Sequence, residues 1–159
     1  MRFALALSGV LICAAALAPD AASAADYDCT PNVTASAYSN AATTTSSTDF
    51  VALPGVSAAV PGVVTNNCLL VFFTTQIRAA APGGVRFRLT FNGTPVGLPK
   101  DADFYTSGNK PDERAVTFVL PHVPGDGVDS SVVGIEYMSI DGSPVSAGKS
   151  FMSVYYLAN

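Results

Sequence analysis

The stretch from residue 85 to residue 93, VRFRLTFNG, constrains the fold more than any other part of this chain. Val85, Phe87, Leu89 and Phe91 fall on one side of an extended backbone and Arg86, Arg88 and Thr90 on the other, a period-two pattern that requires one buried and one wet face. Asn92-Gly93 follows directly. Both residues accept positive φ, as a two-residue hairpin turn demands, so residues 94–98 should return as the next strand.

Other segments repeat this grammar. Short runs rich in Val, Ile, Phe, Tyr and Thr at residues 50–53, 56–64, 68–77, 104–105, 115–120, 132–140 and 150–157 are each bounded by Gly, Pro, Asn or Asp. Residues 68–77 are almost wholly apolar at first, which predicts a central strand buried on both faces. In residues 150–157, Phe151, Ser153, Tyr155 and Leu157 alternate with Met152, Val154 and Tyr156; the first set is expected to face the core. Charged residues make up only 13% of the chain, and strong helix formers other than Ala are few. The fold class is therefore all-β: an antiparallel, jelly-roll-like β-sandwich of about eight strands. No unit repeats, which argues against a solenoid or propeller.

The N-terminus carries a compartment signal. Arg2 precedes an apolar run over residues 3–17, then Pro19, then Ala22-Ser23-Ala24. That order is the signature of a cleavable secretory signal over residues 1–24. The run is shorter than the roughly twenty residues that span a bilayer, so no membrane insertion is expected. Cys13 is preceded by Ile12, where a lipid-attachment site needs a small residue. The expected organisation is a signal peptide at 1–24, a Ser/Thr/Ala-rich arm at 25–48 and a sandwich domain at 49–159, in a secreted protein of the periplasm or extracellular space. Arg2 and Asp20 are one cation and one anion, so their removal leaves the net charge at −4. An acidic domain does not attract phosphate backbones, and nucleic acid is not an expected partner.

Two cysteines remain after cleavage, Cys29 and Cys68. In an oxidising compartment their expected state is one disulfide. With one histidine they cannot complete a four-ligand zinc site, and no cofactor is indicated.

Four stretches in order, residues 45–55 (TSSTDFVALPG), 68–77 (CLLVFFTTQI), 85–97 (VRFRLTFNGTPVG) and 132–157, resemble bacterial secreted β-sandwich proteins with the jelly-roll topology of C1q and tumour necrosis factor. That resemblance implies fold and compartment but no activity. Residues 137–156 (YMSIDGSPVSAGKSFMSVYY) resemble the end of chaperone-usher pilins and spore-coat-U-like subunits, in which a loop, here at Ala147-Gly148, leads into the last strand. The separation of Cys29 and Cys68 also resembles the early disulfide of such subunits. Pilins carry a donor-strand extension before the first cysteine, whereas only residues 25–28 stand there in this chain.

Catalytic residues are expected to be none. The one histidine, His122, is flanked by Pro121 and Pro124, and no Gly-x-Ser-x-Gly elbow occurs. Glu113 and Glu136 are the only glutamates, and most aspartates stand in turn contexts. Asp126 with Asp129, and Asp101 with Asp103, are weak calcium candidates that match no EF-hand loop. Sugar binding needs exposed aromatics; there is no Trp, which leaves Tyr105, Tyr137, Tyr155 and Tyr156. Arg86 and Arg88 share a polar strand face and could grip an anion, or simply keep that face solvated. Asn32 and Asn92 head glycosylation sequons, the second in a predicted tight turn.

The expected function is a secreted, non-enzymatic binding or surface-interaction module. A pilus- or coat-type structural subunit is the alternative and an unrecognised hydrolase a distant third. The partner classes left open are a protein, a carbohydrate and further copies of the chain.

Overall fold

A computed structural model describes residues 30–61, 68–79, 83–106, 110–121 and 130–158. The signal segment, Cys29, His122, Asp126 and Asp129 lie outside the described residues, as does the proposed arm up to Cys29.

Among the described residues ten strand segments follow in chain order: β1 Thr30–Ser39, β2 Thr43–Thr45, β3 Val51–Pro61, β4 Cys68–Ala79, β5 Gly83–Phe91, β6 Thr94–Val96, β7 Ala102–Thr106, β8 Asp112–Leu120, β9 Ser130–Ser139 and β10 Val145–Ala158. They form two antiparallel sheets. The first has the order β1-β10-β4-β8, with β2 also on β10; the second has the order β3-β9-β5-β6, with β7 also on β5. β1 and β2 pair with successive parts of β10, and β6 and β7 with successive parts of β5, so each couple is one interrupted edge line. The ten segments thus reduce to eight lines, and their order across the two sheets is that of a jelly roll.

The core lies between the sheets. Phe73 of β4 and Phe87 of β5 meet across it with ring centroids 5.1 Å apart, and Phe87 also stacks on Tyr137 of β9. The expected alternation in β5 holds from Val85 to Leu89, with Val85, Phe87 and Leu89 buried and Arg86 and Arg88 half-exposed. Beyond it Phe91 is buried, and so is Thr90, expected on the wet face, whose Oγ1 donates to the Gly134 carbonyl at 3.2 Å. Asn92 and Gly93 both have positive φ, 49° and 76°, and form the β5–β6 turn. Backbone bonds between Leu98 and Val119, 2.8 Å in both directions, tie the β6–β7 connection to β8 and so staple one side of the sandwich.

Several expectations are corrected. The Ser/Thr/Ala-rich stretch 30–48 is not a separate arm, because β1 and β2 within it are strands of the first sheet. Its inward residues, Ala35 and Ala37, are small, which hides the period from a search for bulky apolar side chains. Residues 51–61 form one strand through Pro54-Gly55, since β3 is an edge strand and the register shift between Ala52 and Ser57 absorbs both residues.

β4 is covered on one face only, with Phe72 41% exposed. In β10 the phase is reversed: Met152 and Val154 are buried, Phe151 is 42% exposed and Tyr155 is half-buried on the outside. Ala147-Gly148 lies inside β10 rather than in a loop, at a register shift between Ala147 and Ser150. β10 is paired on both sides by its own chain. A strand-accepting subunit needs an open groove, which β10 does not offer.

Candidate functional site

The outer faces of the two sheets differ sharply. On the second sheet the charges cancel locally. Arg86 Nη2 donates to Asp103 Oδ2 at 2.7 Å, Arg88 Nε donates to Glu136 Oε2 at 2.7 Å, and the Arg88 guanidinium sits 3.9 Å above the Phe50 ring. The Arg86 hydrogen bond holds the Asp103 carboxyl below its usual range. The two arginines are thus spent on a solvated ion-pair ladder, and Asp103 is engaged by a cation rather than set up with Asp101 for calcium.

The outer face of the first sheet carries aromatics instead. Register places Tyr38 of β1 beside Phe151 of β10, Phe151 beside Thr74 of β4, and Thr74 beside Ala115 of β8. The next outward pair along β4 and β8 is Gln76 and Glu113. Between these rows β10 bulges at Gly148 and Lys149, where two β4 steps oppose three on β10. The bulge also coincides with the break between β1 and β2. A cleft of about 380 Å³ opens there, lined by Tyr38 and Phe151 from one row of the sheet face and by Gln76, Glu113 and Lys149 from the neighbouring one.

The polar wall is set by short local contacts. Gln76 Nε2 donates to Glu113 Oε1 at 3.2 Å, which orients the amide and leaves the other carboxylate oxygen for a ligand. Arg114 at the rim is fixed by Asp112, to which its Nη1 donates at 2.9 Å. Lys149 is exposed and has no acid partner among the described residues. Tyr38 Oη donates to Asn40 Oδ1, which steadies its ring at the sheet edge. Under the cleft the hydroxyls of Thr75 and Ser150 pair at 2.8 Å and are buried, anchoring both strands. Such a cleft can pack a ring against Tyr38 and Phe151 while offering donors and acceptors from the neighbouring row.

Of the tyrosines singled out in the sequence, Tyr137 is core, Tyr105 stands on the second sheet, Tyr155 shares the cleft's face, and the side chain of Tyr156 is not described. No sequence pattern singles out Tyr38, Phe151, Gln76, Glu113 and Lys149 as a group, because they come from four strands. Asn92 uses its amide in the fold, accepting from Val132 N at 2.7 Å and donating to Ser131 Oγ at 3.2 Å. Asp141 plays the expected turn role: the backbone N–H of Ser143, at 2.9 Å, holds its carboxyl below the usual range. Cys68 is buried with its Sγ 3.4 Å from the Pro121 carbonyl oxygen. Among the described residues no helix is long and apolar enough to cross a membrane.

No family model matches the chain and no curated protein matches it, so neither resemblance drawn from the sequence is carried by a family. Solved structures similar in arrangement include the EclA C-terminal domain, a sugar-binding protein, at 8% identity over 72% of this chain and 78% of that one, with a TM-score of 0.39. Dimeric latent PorU from Porphyromonas gingivalis is 12% identical over 77% of this chain and 13% of that one, with a TM-score of 0.43. The CBM22-1 xylan-binding domain of Paenibacillus barcinonensis Xyn10C is 10% identical over 80% of this chain and 96% of that one, with a TM-score of 0.28. These are remote likenesses of strand arrangement and identify no family.

Proposed function

We propose that this chain is an exported, non-enzymatic binding module that holds a saccharide in the cleft on the outer face of the first sheet. The observation that carries this reading is that one cleft of about 380 Å³ is lined both by two aromatic rings, Tyr38 and Phe151, and by an amide, a carboxylate and an ammonium group, those of Gln76, Glu113 and Lys149. A sugar ring has an apolar C–H face that packs on an aromatic ring and a rim of hydroxyls that need both donors and acceptors. The volume falls within the usual range for small-ligand sites, about 300–1,000 Å³. Glu113 is the single carboxylate lining the cleft among the described residues, whereas glycoside cleavage uses two held across the bond. Export rests on the charged, apolar and small-residue order of residues 1–24.

The test is retention of the mature chain on immobilised cellulose, xylan, chitin, pectin and peptidoglycan, with Phe151→Ala and Glu113→Gln beside the wild type. Retention on at least one polymer, lost in Phe151→Ala at unchanged melting temperature, is expected. No retention on any of them, or equal retention by Phe151→Ala, would overturn the reading.

A further inference from the structure

We infer that the site takes an extended glycan chain rather than a single terminal sugar, because the aromatic surface of the cleft continues along β10 and β4 to Phe72 and Tyr155; the inference rests on the saccharide reading above. Phe151 and Tyr155 stand on the same face of β10, four residues and therefore about 13 Å apart. Phe72 lies beside Ser153 in register, and its ring meets that of Tyr155 edge to face at 5.5 Å.

The ground between the two aromatic groups is low. On β10 the intervening outward residue is Ser153, and on β4 the residue between Gln76 and Phe72 is Thr74. Neither can wall off the cleft, so a ligand lying against Phe151 has an open path to Phe72. Hydroxyls border that path, with Ser36 beside Ser153 and Thr117 beside Phe72. Aromatic platforms separated by small hydroxyl side chains fit a polymer whose repeating rings alternate apolar faces and hydroxyl edges.

A second copy of this chain fits less well, because the hydroxyl residues interrupt the apolar area. Such a contact would also cover Lys149, which has no acid partner among the described residues and would lose its water.

Calorimetric titration of the mature chain with cello-, xylo-, chito- and galacturono-oligosaccharides of increasing length tests this. In the series that binds, affinity should rise about tenfold from disaccharide to tetrasaccharide, the effect of one further aromatic platform. In Phe72→Ala that rise should vanish, with disaccharide and tetrasaccharide bound alike; Ser153→Arg, which fills the saddle, should do the same at a wild-type melting temperature. Binding independent of length in the wild type, or a rise that survives both substitutions, overturns the extended-chain inference and leaves the cleft reading intact. No binding at any length in any series overturns both. Self-association that Phe72→Ala abolishes, without length dependence, overturns the inference in favour of a second copy.

Discussion

Phe72 and Tyr155 meet edge to face on the outer surface of the first sheet, their ring planes at 90°, while Phe73, the next residue along β4, points the other way and lies 5.1 Å from Phe87 between the sheets. Adjacent phenylalanines thus belong to different jobs, one to a surface and one to the core.

Stability should separate them. Phe73 is 1% exposed, and Phe73→Ala is expected to cost about 3–5 kcal/mol through lost burial and the cavity left behind. Phe72→Ala gives up one half-exposed ring contact and should cost about 1 kcal/mol. Urea denaturation of both variants checks this, and equal losses would mean that the outer face is structural.

The same pair shows where the sequence stops being legible. The polar residues of β5 announce which face is wet, so its phase, its hairpin and the all-β class could be read directly. In β4 and β10 large apolar side chains stand on both faces. Phe72 then looks as internal as Phe73, and Phe151 with Tyr155 looks more internal than Met152 with Val154. The bulge at Gly148 and Lys149 further shifts the phase of β10 by one residue relative to β4, which no alternation count detects. The cleft itself was hidden because Tyr38, Gln76, Glu113 and Phe151 are brought together by register across four strands, not by spacing along the chain.

The ion pair on the second sheet predicts a specific acid response. Arg86 lowers the Asp103 pKa in the folded protein, so the pair stabilises the fold above the unfolded-chain value of about 3.9. That contribution is lost as pH falls through the lower folded value. Because both side chains are about one-third exposed, screening keeps the effect small and salt-sensitive. The melting temperature of Asp103→Asn should lie slightly below that of the wild type at neutral pH and low salt. The two should converge both as pH falls through the lowered folded value and in high salt. A gap that persists unchanged in acid would show that Asp103 contributes through packing instead.

The last prediction concerns the two cysteines of the exported chain. Cys68 opens β4 and is 3% exposed, in register with Leu157, while Thr30, the residue after Cys29, is in register with Ala158. Thr30 and Cys68 therefore flank the same end of β10 from its two sides. We propose that a Cys29–Cys68 disulfide closes over that end and ties the edge strand β1 to the interior strand β4. In the chain-entropy model a loop of this length is worth roughly 3–4 kcal/mol, and loss of a native disulfide from a small exported domain commonly costs about 2–5 kcal/mol. Protein recovered from the medium or periplasm should begin at Ala25 and resist alkylation until reduced. Cys29→Ala should lower stability by about that amount, and the double variant with Cys68→Ala should lose less than the sum of the two single changes, because both remove the same bond. Two alkylatable thiols in the native secreted protein, or strictly additive losses, would refute the bond, and an intact Met1 on the exported product would refute the cleavage that places the chain where the bond can form.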